Sequence, residues 1–320
     1  MKIKPKRLKL GDRIAVVAPS SPPSNPYTIR RSIQAIRSLG FSPVSGESIF
    51  QRHGYLAGPD EDRAKDLMQA FRDSSISGIF AIRGGYGCAR LLPYLNFQEI
   101  QNNPKILLGF SDITSLHLSI NKISHLVTFH GPNIDSAFIE QNKDHFTIKS
   151  ALRILGLAPH GSKQLLSEDN PHRNKVYSIN EGEATGESVV GNLTVMNSII
   201  STPYQVDFKN KILFIEDVNE GPYRIDRLLT QLKLAGIFEQ ISALVLGQFA
   251  RCDISTSRKK APKEFNLADV FFDRLKEIDI PILANYPFGH VENNLTIPSG
   301  ISMTIDTSTK SITLNESPVI

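Results

Sequence analysis

Short apolar runs alternate with longer amphipathic stretches through the first half of this chain, and that beat predicts strands followed by helices. Arg13–Pro19 reads as a strand ending in Ser20-Ser21-Pro22-Pro23, and Tyr27–Leu39 as an amphipathic helix stopped at Gly40. Asp60–Arg72 reads as a second helix, with acids in its first turn where the helix dipole favours them. Gly78–Arg83 is a strand broken by Gly84-Gly85-Tyr86-Gly87; Lys105–Phe110 and Leu126–Phe129 are further strands, and His145–Leu155 is a closing helix. Strands alternating with helices of this length imply an α/β fold with a parallel sheet covered on both faces. Ligands of such sheets bind beyond the carboxyl ends of the strands. Ser20-Ser21, Gly84-Gly85 and Ser111 all fall on that edge.

From Gly156 to about Glu183 the pattern dissolves into Pro, His, Ser, Asn and Lys. A strand ending Ile212-Leu213-Phe214-Ile215-Glu216 follows, then a helix Tyr223–Leu234 with Pro222 well placed at its start. A strand Ala243–Phe249, a helix Leu267–Ile278, an apolar strand Ile280–Ala284 and a hairpin of Ile301–Asp306 with Ser311–Asn315 complete the chain. The polar loop Arg251–Phe265 reads as an exposed, Lys-rich connector, with a lid as the alternative. At 320 residues two domains are expected. They are placed at 1–160 and 184–320, joined by 161–183, the second a smaller mixed α/β unit.

Composition narrows the partners. Hydrophobic content of 40% and charged content of 21% belong to an ordinary globular protein. A net charge of +4 suits an anionic small substrate, and no Arg/Lys cluster with interleaved aromatics argues for nucleic acid. No run approaches membrane-spanning length, and the basic start, Met1 to Arg7, lacks the apolar stretch of a signal peptide. Cys88 and Cys252 have neither metal nor redox spacing. A cytoplasmic protein is expected.

The densest chemistry lies in Leu107-Leu108-Gly109-Phe110-Ser111-Asp112. A strand that turns abruptly into a helix projects the turn residue from the sheet edge and aims free N–H groups beside it. That geometry suits a nucleophilic serine with an adjacent oxyanion donor; an N-capping serine is the plainer reading. A serine needs a base, and the base an orienting acid. Of eight histidines, His53, His145, His160 and His172 read as surface residues, His117 as a helix-surface or packed residue, and His125 as structural. His130, at a strand's carboxyl end, is a candidate for lining the site. His290 is the strongest base candidate, in a loop where Gly289 lets the backbone bend. For the acid, Glu216 follows an apolar strand, where a carboxylate needs a partner. One residue of register separates it from its rival Asp217, and Glu220 is a weaker third. Gly84-Gly85-Tyr86-Gly87 lacks the spacing of a nucleotide loop. It fits a tight turn in which Gly85 N–H and Asp112 N–H serve as oxyanion donors.

Taken together these blocks resemble the LD-carboxypeptidase family of serine peptidases. The resemblance runs through Gly11-Asp12-Arg13-Ile14-Ala15-Val16-Val17-Ala18-Pro19-Ser20-Ser21, Arg83-Gly84-Gly85-Tyr86-Gly87, Gly109-Phe110-Ser111-Asp112 and Phe129-His130-Gly131-Pro132. It continues through Gly191-Asn192-Leu193, Leu213 to Val218, Pro222 to Arg227, Pro287-Phe288-Gly289-His290 and Pro298-Ser299-Gly300, nearly the whole chain. Val190-Gly191-Asn192 departs from the Gly-Gly-Asn common in the family. The resemblance implies a flavodoxin-like N-terminal domain, a distinct C-terminal domain, a site between them and a homodimer. It also implies Ser111 as nucleophile, Glu216 rather than Asp217 as charge-relay acid and His290 as general base.

The implied substrate is a murein tetrapeptide or muropeptide, cut before its terminal D-alanine, with neither metal nor cofactor. Arg83 and Arg224 are candidates to hold the terminal carboxylate, with a structural ion pair as the plainer reading of either, and His130 and Asn192 to line the site. A related self-immunity peptidase cleaving a peptidyl nucleotide would carry an extra aromatic loop to stack the base; this chain has no Trp and no obvious insertion. A non-catalytic protein binding a small ligand in the cleft is the remaining alternative.

Overall fold

A computed structural model describes residues 2–139, 145–157, 163–168, 170–253 and 265–320. The surface reading of His160 and most of the Arg251–Phe265 loop lie outside the described residues. In the first half, strands β1 (Arg13–Val17), β2 (Ser42–Ser45), β3 (Ile76–Ala81), β4 (Ile106–Gly109) and β5 (Thr128–His130) alternate with helices α1 (Pro26–Ser38), α2 (Asp60–Arg72), α3 (Phe97–Asn102) and α4 (Thr114–Ile123). Helix α5 (Phe146–Ile154) follows, then β6 (Tyr177–Asn180), β7 (Glu183–Asn192), α6 (Leu193–Asn197) and β8 (Lys211–Val218). Next come α7 (Pro222–Leu234), β9 (Ala243–Ala250), α8 (Leu267–Leu275) and β10 (Ile282–Ala284). Three strands close the chain: β11 (Ile297–Ser299), β12 (Ser302–Asp306) and β13 (Ser311–Leu314).

The molecule is a two-domain α/β protein built on two sheets. The first runs β11-β5-β4-β3-β1-β2, and β1 to β5 are mutually parallel. The order 2-1-3-4-5 is that of flavodoxin-like sheets, whose ligands lie where the order reverses, beyond β1 and β3. Strand β11, from the far end of the chain, closes this sheet antiparallel to β5. The second sheet runs β13-β12-β7-β8-β9-β10-β6, with a parallel centre, β7 to β10, between antiparallel flanks.

Helix α4 joins the two halves. Every residue from Thr114 to Asn121 is buried, which explains its mixed sequence pattern: a helix packed on all sides has no polar face to display. Leu116, Leu118 and Ile120 share one apolar cluster with Val189, Leu193 and Met196 of the second half. The approach is close. A methyl group on Gly191 would lie 2.4 Å from Thr114 Cγ2, and Asn192 N–H donates to Thr114 Oγ1 at 2.9 Å. The turn that opens α4 is thereby pressed against the carboxyl ends of β7 and β8.

Candidate active site

The site begins at the elbow between β4 and α4. Phe110 is extended, and Ser111 then adopts φ 65°, a left-handed conformation that an L-residue holds only where its surroundings impose it. Those surroundings are specific. Phe110 N–H donates to Asn133 Oδ1 at 3.2 Å. The buried Asp112 carboxylate accepts Ser20 Oγ–H at 2.7 Å and Cys88 N–H at 2.8 Å, tying together the loops that follow β1, β3 and β4. Burial pushes the Asp112 carboxyl above its ordinary value, and these bonds pull it back.

Gly84 and Gly85 bring the second loop onto the elbow. A methyl group on Gly84 would lie 2.9 Å from Ser111 Cβ and 3.2 Å from its Oγ. Gly85 has φ 117°, and a methyl there would lie 2.4 Å from Ser21 Oγ. Only glycine permits both the approach and the dihedral. Among the described residues, neither Gly85 N–H nor Asp112 N–H donates to an acceptor.

The other side of the site comes from the second sheet. Glu216, on β8, is fully buried. Ile215 pairs with Leu246 and Asp217 with Phe249, so β9 carries one extra residue opposite Glu216. Such a bulge re-aims side chains and leaves backbone groups for other partners. Here Gln248 N–H donates to Phe288 O at 3.0 Å, and Gln248 bridges to Gly289. Gly289 N–H donates in turn to Asn294 Oδ1 at 3.0 Å. The loop that carries His290 is thus fastened to the same strands that present the carboxylate.

These fastenings bring three side chains into line. His290 Nδ1 lies 2.7 Å from Glu216 Oε2 and His290 Nε2 lies 3.0 Å from Ser111 Oγ. With the carboxylate accepting, Nδ1 carries the proton and Nε2 accepts the Ser111 O–H. The His290 side chain is 19% exposed and Glu216 wholly covered, so the series opens to solvent at the hydroxyl end. The imidazole also packs against Phe110, ring centroids 4.7 Å apart. An alcohol, a base that can take its proton and a buried acid that orients the base are the parts of a nucleophilic relay.

Residues 14–131 match the LD-carboxypeptidase N-terminal domain and residues 185–305 match the LD-carboxypeptidase C-terminal domain. The chain belongs to the LD-carboxypeptidase family. A probable murein peptide carboxypeptidase of Bacillus subtilis (strain 168) is 34% identical over 311 residues, covering 96% of this chain and 92% of the relative. The crystal structure of muramoyltetrapeptide carboxypeptidase from Oxalobacter formigenes superposes with a TM-score of 0.80 at 29% identity, over 94% of this chain and 97% of that one. The microcin C7 self-immunity protein MccF in complex with aspartyl sulfamoyl adenosine superposes with a TM-score of 0.89 at 27% identity, over 99% and 100%.

Of the acids that the sequence leaves open, Glu216 meets the imidazole and Asp217 does not. Asp217 accepts Thr194 N–H and Oγ–H at 2.9 and 2.8 Å and caps the start of α6. Burial pushes its carboxyl up to about 6. Glu220 pairs with Arg224 at 3.1 Å. Two expected substrate contacts, Asn192 and His130, are placed otherwise, and Arg224 takes the ion-pair alternative. Arg224 is exposed, and its donors already face Glu220 and Tyr223. Asn192 is buried; its Nδ2 donates to Glu216 Oε1 at 3.3 Å and Asp217 Oδ1 at 3.1 Å, so it steadies the acid. His130 is fully buried behind Glu216. Arg83, half-buried beside Gly84, has no acidic partner among the described residues and remains available to an anion. His117 is packed, as expected, its Nε2–H donating to Gly109 O at 2.8 Å, and burial lowers it to about 4.

Sequence reasoning passed over Asn133, Thr114 and Arg63. Asn133 stands three residues beyond His130 in a segment already flagged, but a lone Asn after Pro reads as a turn. Thr114 and Arg63 carry no local signal, because their partners lie on loops distant in sequence. Among the described residues, no group of three or more His, Cys, Asp or Glu could hold a metal ion, and no helix is long and apolar enough to cross a membrane.

Proposed function

We propose that the protein is a serine LD-carboxypeptidase that removes the terminal D-alanine from murein tetrapeptide. One observation carries this reading: the unbroken series from Ser111 through His290 to Glu216 at 3.0 and 2.7 Å. In the first step His290 Nε2 takes the Ser111 proton as Oγ attacks the carbonyl preceding D-alanine. The tetrahedral oxyanion rests on the N–H groups of Gly85 and Asp112, donors fixed before the charge develops. His290 then protonates the departing amine, the C–N bond breaks, and an acyl-serine ester remains. Water, deprotonated by the same imidazole, cleaves that ester and restores Ser111. The Glu216 carboxylate holds the ring in its working tautomer and stabilises the imidazolium throughout. Arg83 is the group assigned to the substrate's free carboxylate.

In this reading residues 1–160 supply the nucleophile and 184–320 the acid and base. The protein acts in the cytoplasm, as a homodimer, in recycling of cell-wall peptides. The test is incubation of purified protein with murein tetrapeptide. Stoichiometric D-alanine release, undiminished by chelators, is expected; an intact tetrapeptide across pH and concentration rejects the reading. The likeness to MccF favours one alternative, cleavage of an amide in a peptidyl nucleotide. Parallel incubation with aspartyl sulfamoyl adenosine decides between them, because faster loss of that compound than of tetrapeptide selects the alternative.

Gly289 offers a geometric check on the relay. It has φ 112°, and a methyl group there would lie 2.6 Å from Glu216 Oε2, the oxygen that binds His290. Gly289→Ala must displace either the carboxylate or the loop. Misplacement near 1 Å costs on the order of 10²-fold in rate, so kcat/KM for tetrapeptide should fall by about that factor. A variant with unchanged kcat/KM would show that the relay tolerates movement at this oxygen.

A further inference from the structure

The mechanism leaves one buried titratable group beside the relay unused. His130 ends β5, where register pairs it with Gly109 of the elbow strand on one side and with Ile297 of β11 on the other. Its ring is fully covered, and among the described residues neither nitrogen has a hydrogen-bond partner. Phe110 and Phe288 meet it edge-on at centroid distances of 6.0 and 6.1 Å. Buried nitrogens of this kind are rare, because each forfeits its bond to water.

Three titratable groups face the ring. From α4 comes His117, ring centroids 6.2 Å apart; from the loop after β10 comes His290; from β8 comes Glu216, whose Oε1 lies 3.9 Å from His130 Nε2. Burial holds His130 well below the ordinary imidazole value, and the two neighbouring imidazoles push the same way. His130 is therefore neutral, with a single N–H to place. His117 already spends its own on Gly109 O. The charged acceptor before His130 is Glu216 Oε1, which otherwise receives Asn192 Nδ2 at 3.3 Å. At 3.9 Å the contact is longer than a hydrogen bond, and contacts in unliganded sites commonly tighten when substrate binds.

We propose that His130 is a positioning residue that directs its Nε2–H at Glu216 Oε1, the carboxylate oxygen that His290 does not bind, limiting the carboxylate's pull on the His290 proton. This rests on the hydrolase reading of the relay and extends it to a fourth side chain. Removing the donor leaves more of the carboxylate's charge to the His290 Nδ1 proton, which it then holds more tightly.

His130→Phe keeps the ring and deletes the donor; His130→Gln retains an N–H at similar reach. In the phenylalanine variant kcat for tetrapeptide should fall a few-fold, the loss expected from one weak hydrogen bond, with KM unchanged. The His290 Nδ1 proton resonance should move downfield, and the glutamine variant should restore both readouts. A kcat and a proton resonance that stay where the wild type has them in folded His130→Phe, or that move in the opposite direction, overturn the proposal. The resonance requires no turnover. Loss of the hydrolase reading, seen as an intact tetrapeptide with the wild type, is therefore distinguished from loss of this inference.

Discussion

Ser111→Ala is expected to lower kcat for D-alanine release by about 10⁴- to 10⁶-fold, with His290→Ala falling in the same range. The reason is geometric. The hydroxyl is the only group that the elbow presents to the imidazole at 3.0 Å, and an alanine there leaves His290 nothing to deprotonate but water. Because the two act as one unit, the double variant should be no slower than either single one. Glu216→Gln should cost about 10⁴-fold, since an amide cannot fix the Nδ1–H tautomer or stabilise the imidazolium. Ser111→Gly adds a structural signature. With φ at 65°, glycine relieves left-handed strain, so this inactive variant should unfold at higher urea, by up to about 1 kcal/mol. Single-turnover rates and urea midpoints check both halves. Near-normal turnover in any of these variants would remove that residue from the relay.

Ser111 and His290, the proposed nucleophile and base, stood out because each follows a strand with glycine intervening. Gly109 precedes Ser111 and Gly289 precedes His290, and such punctuation survives in a bare sequence. Choosing between Glu216 and Asp217 needed more. A strand places adjacent residues on opposite faces, and the bulge that decides their aim belongs to β9, not to β8 itself. The parallel strands β1, β3, β4 and β8 announced themselves as apolar runs, as strands covered on both faces do. Strand β7 did not. Its first half, Glu183 to Glu187, is partly exposed and carries Gly186 against the Asn210 carbonyl, so its polar pattern announces no strand. The edge strands β2, β6 and β11 are too short to set a period, and Pro298 argues against a strand except at an edge, which is where β11 lies. The site was therefore readable at its loops. The parts hidden were those made by contacts between strands distant in sequence.

Arg63 shows how far such hidden contacts reach, and its replacement is expected to have the largest effect on stability. In Asp60-Glu61-Asp62-Arg63 it reads as one more solvated charge on an amphipathic helix. It is instead 1% exposed. Its guanidinium donates to Pro19 O, to Gly87 O at 3.1 Å, to Gly58 O at 3.3 Å, and to the Asp60 carboxylate. Pro19 and Gly87 each stand one residue before a donor to Asp112, namely Ser20 and Cys88. The buried cation thus clamps the two loops that brace the elbow. Arg63→Met preserves length and apolar bulk but, among the described residues, leaves the Pro19 and Gly58 carbonyls without a donor, while Gly87 O keeps the Arg90 N–H at 3.2 Å and Asp60 keeps its exposed partner Arg90. Breaking a buried pair in this way costs about 3–5 kcal/mol, and the retained Arg90 contact places the expectation near 3. The urea midpoint should fall accordingly, and kcat/KM should fall with it because Ser20 and Cys88 lose their common anchor. The exposed, two-pronged pair of Arg72 with Glu99, at 2.6 and 2.8 Å, provides the control. Solvent already screens that pair, so Arg72→Met should leave both the midpoint and the rate in place. If Arg63→Met matched that control in stability and turnover, the first domain would hold its catalytic loops by apolar packing alone, and the clamp would be dispensable.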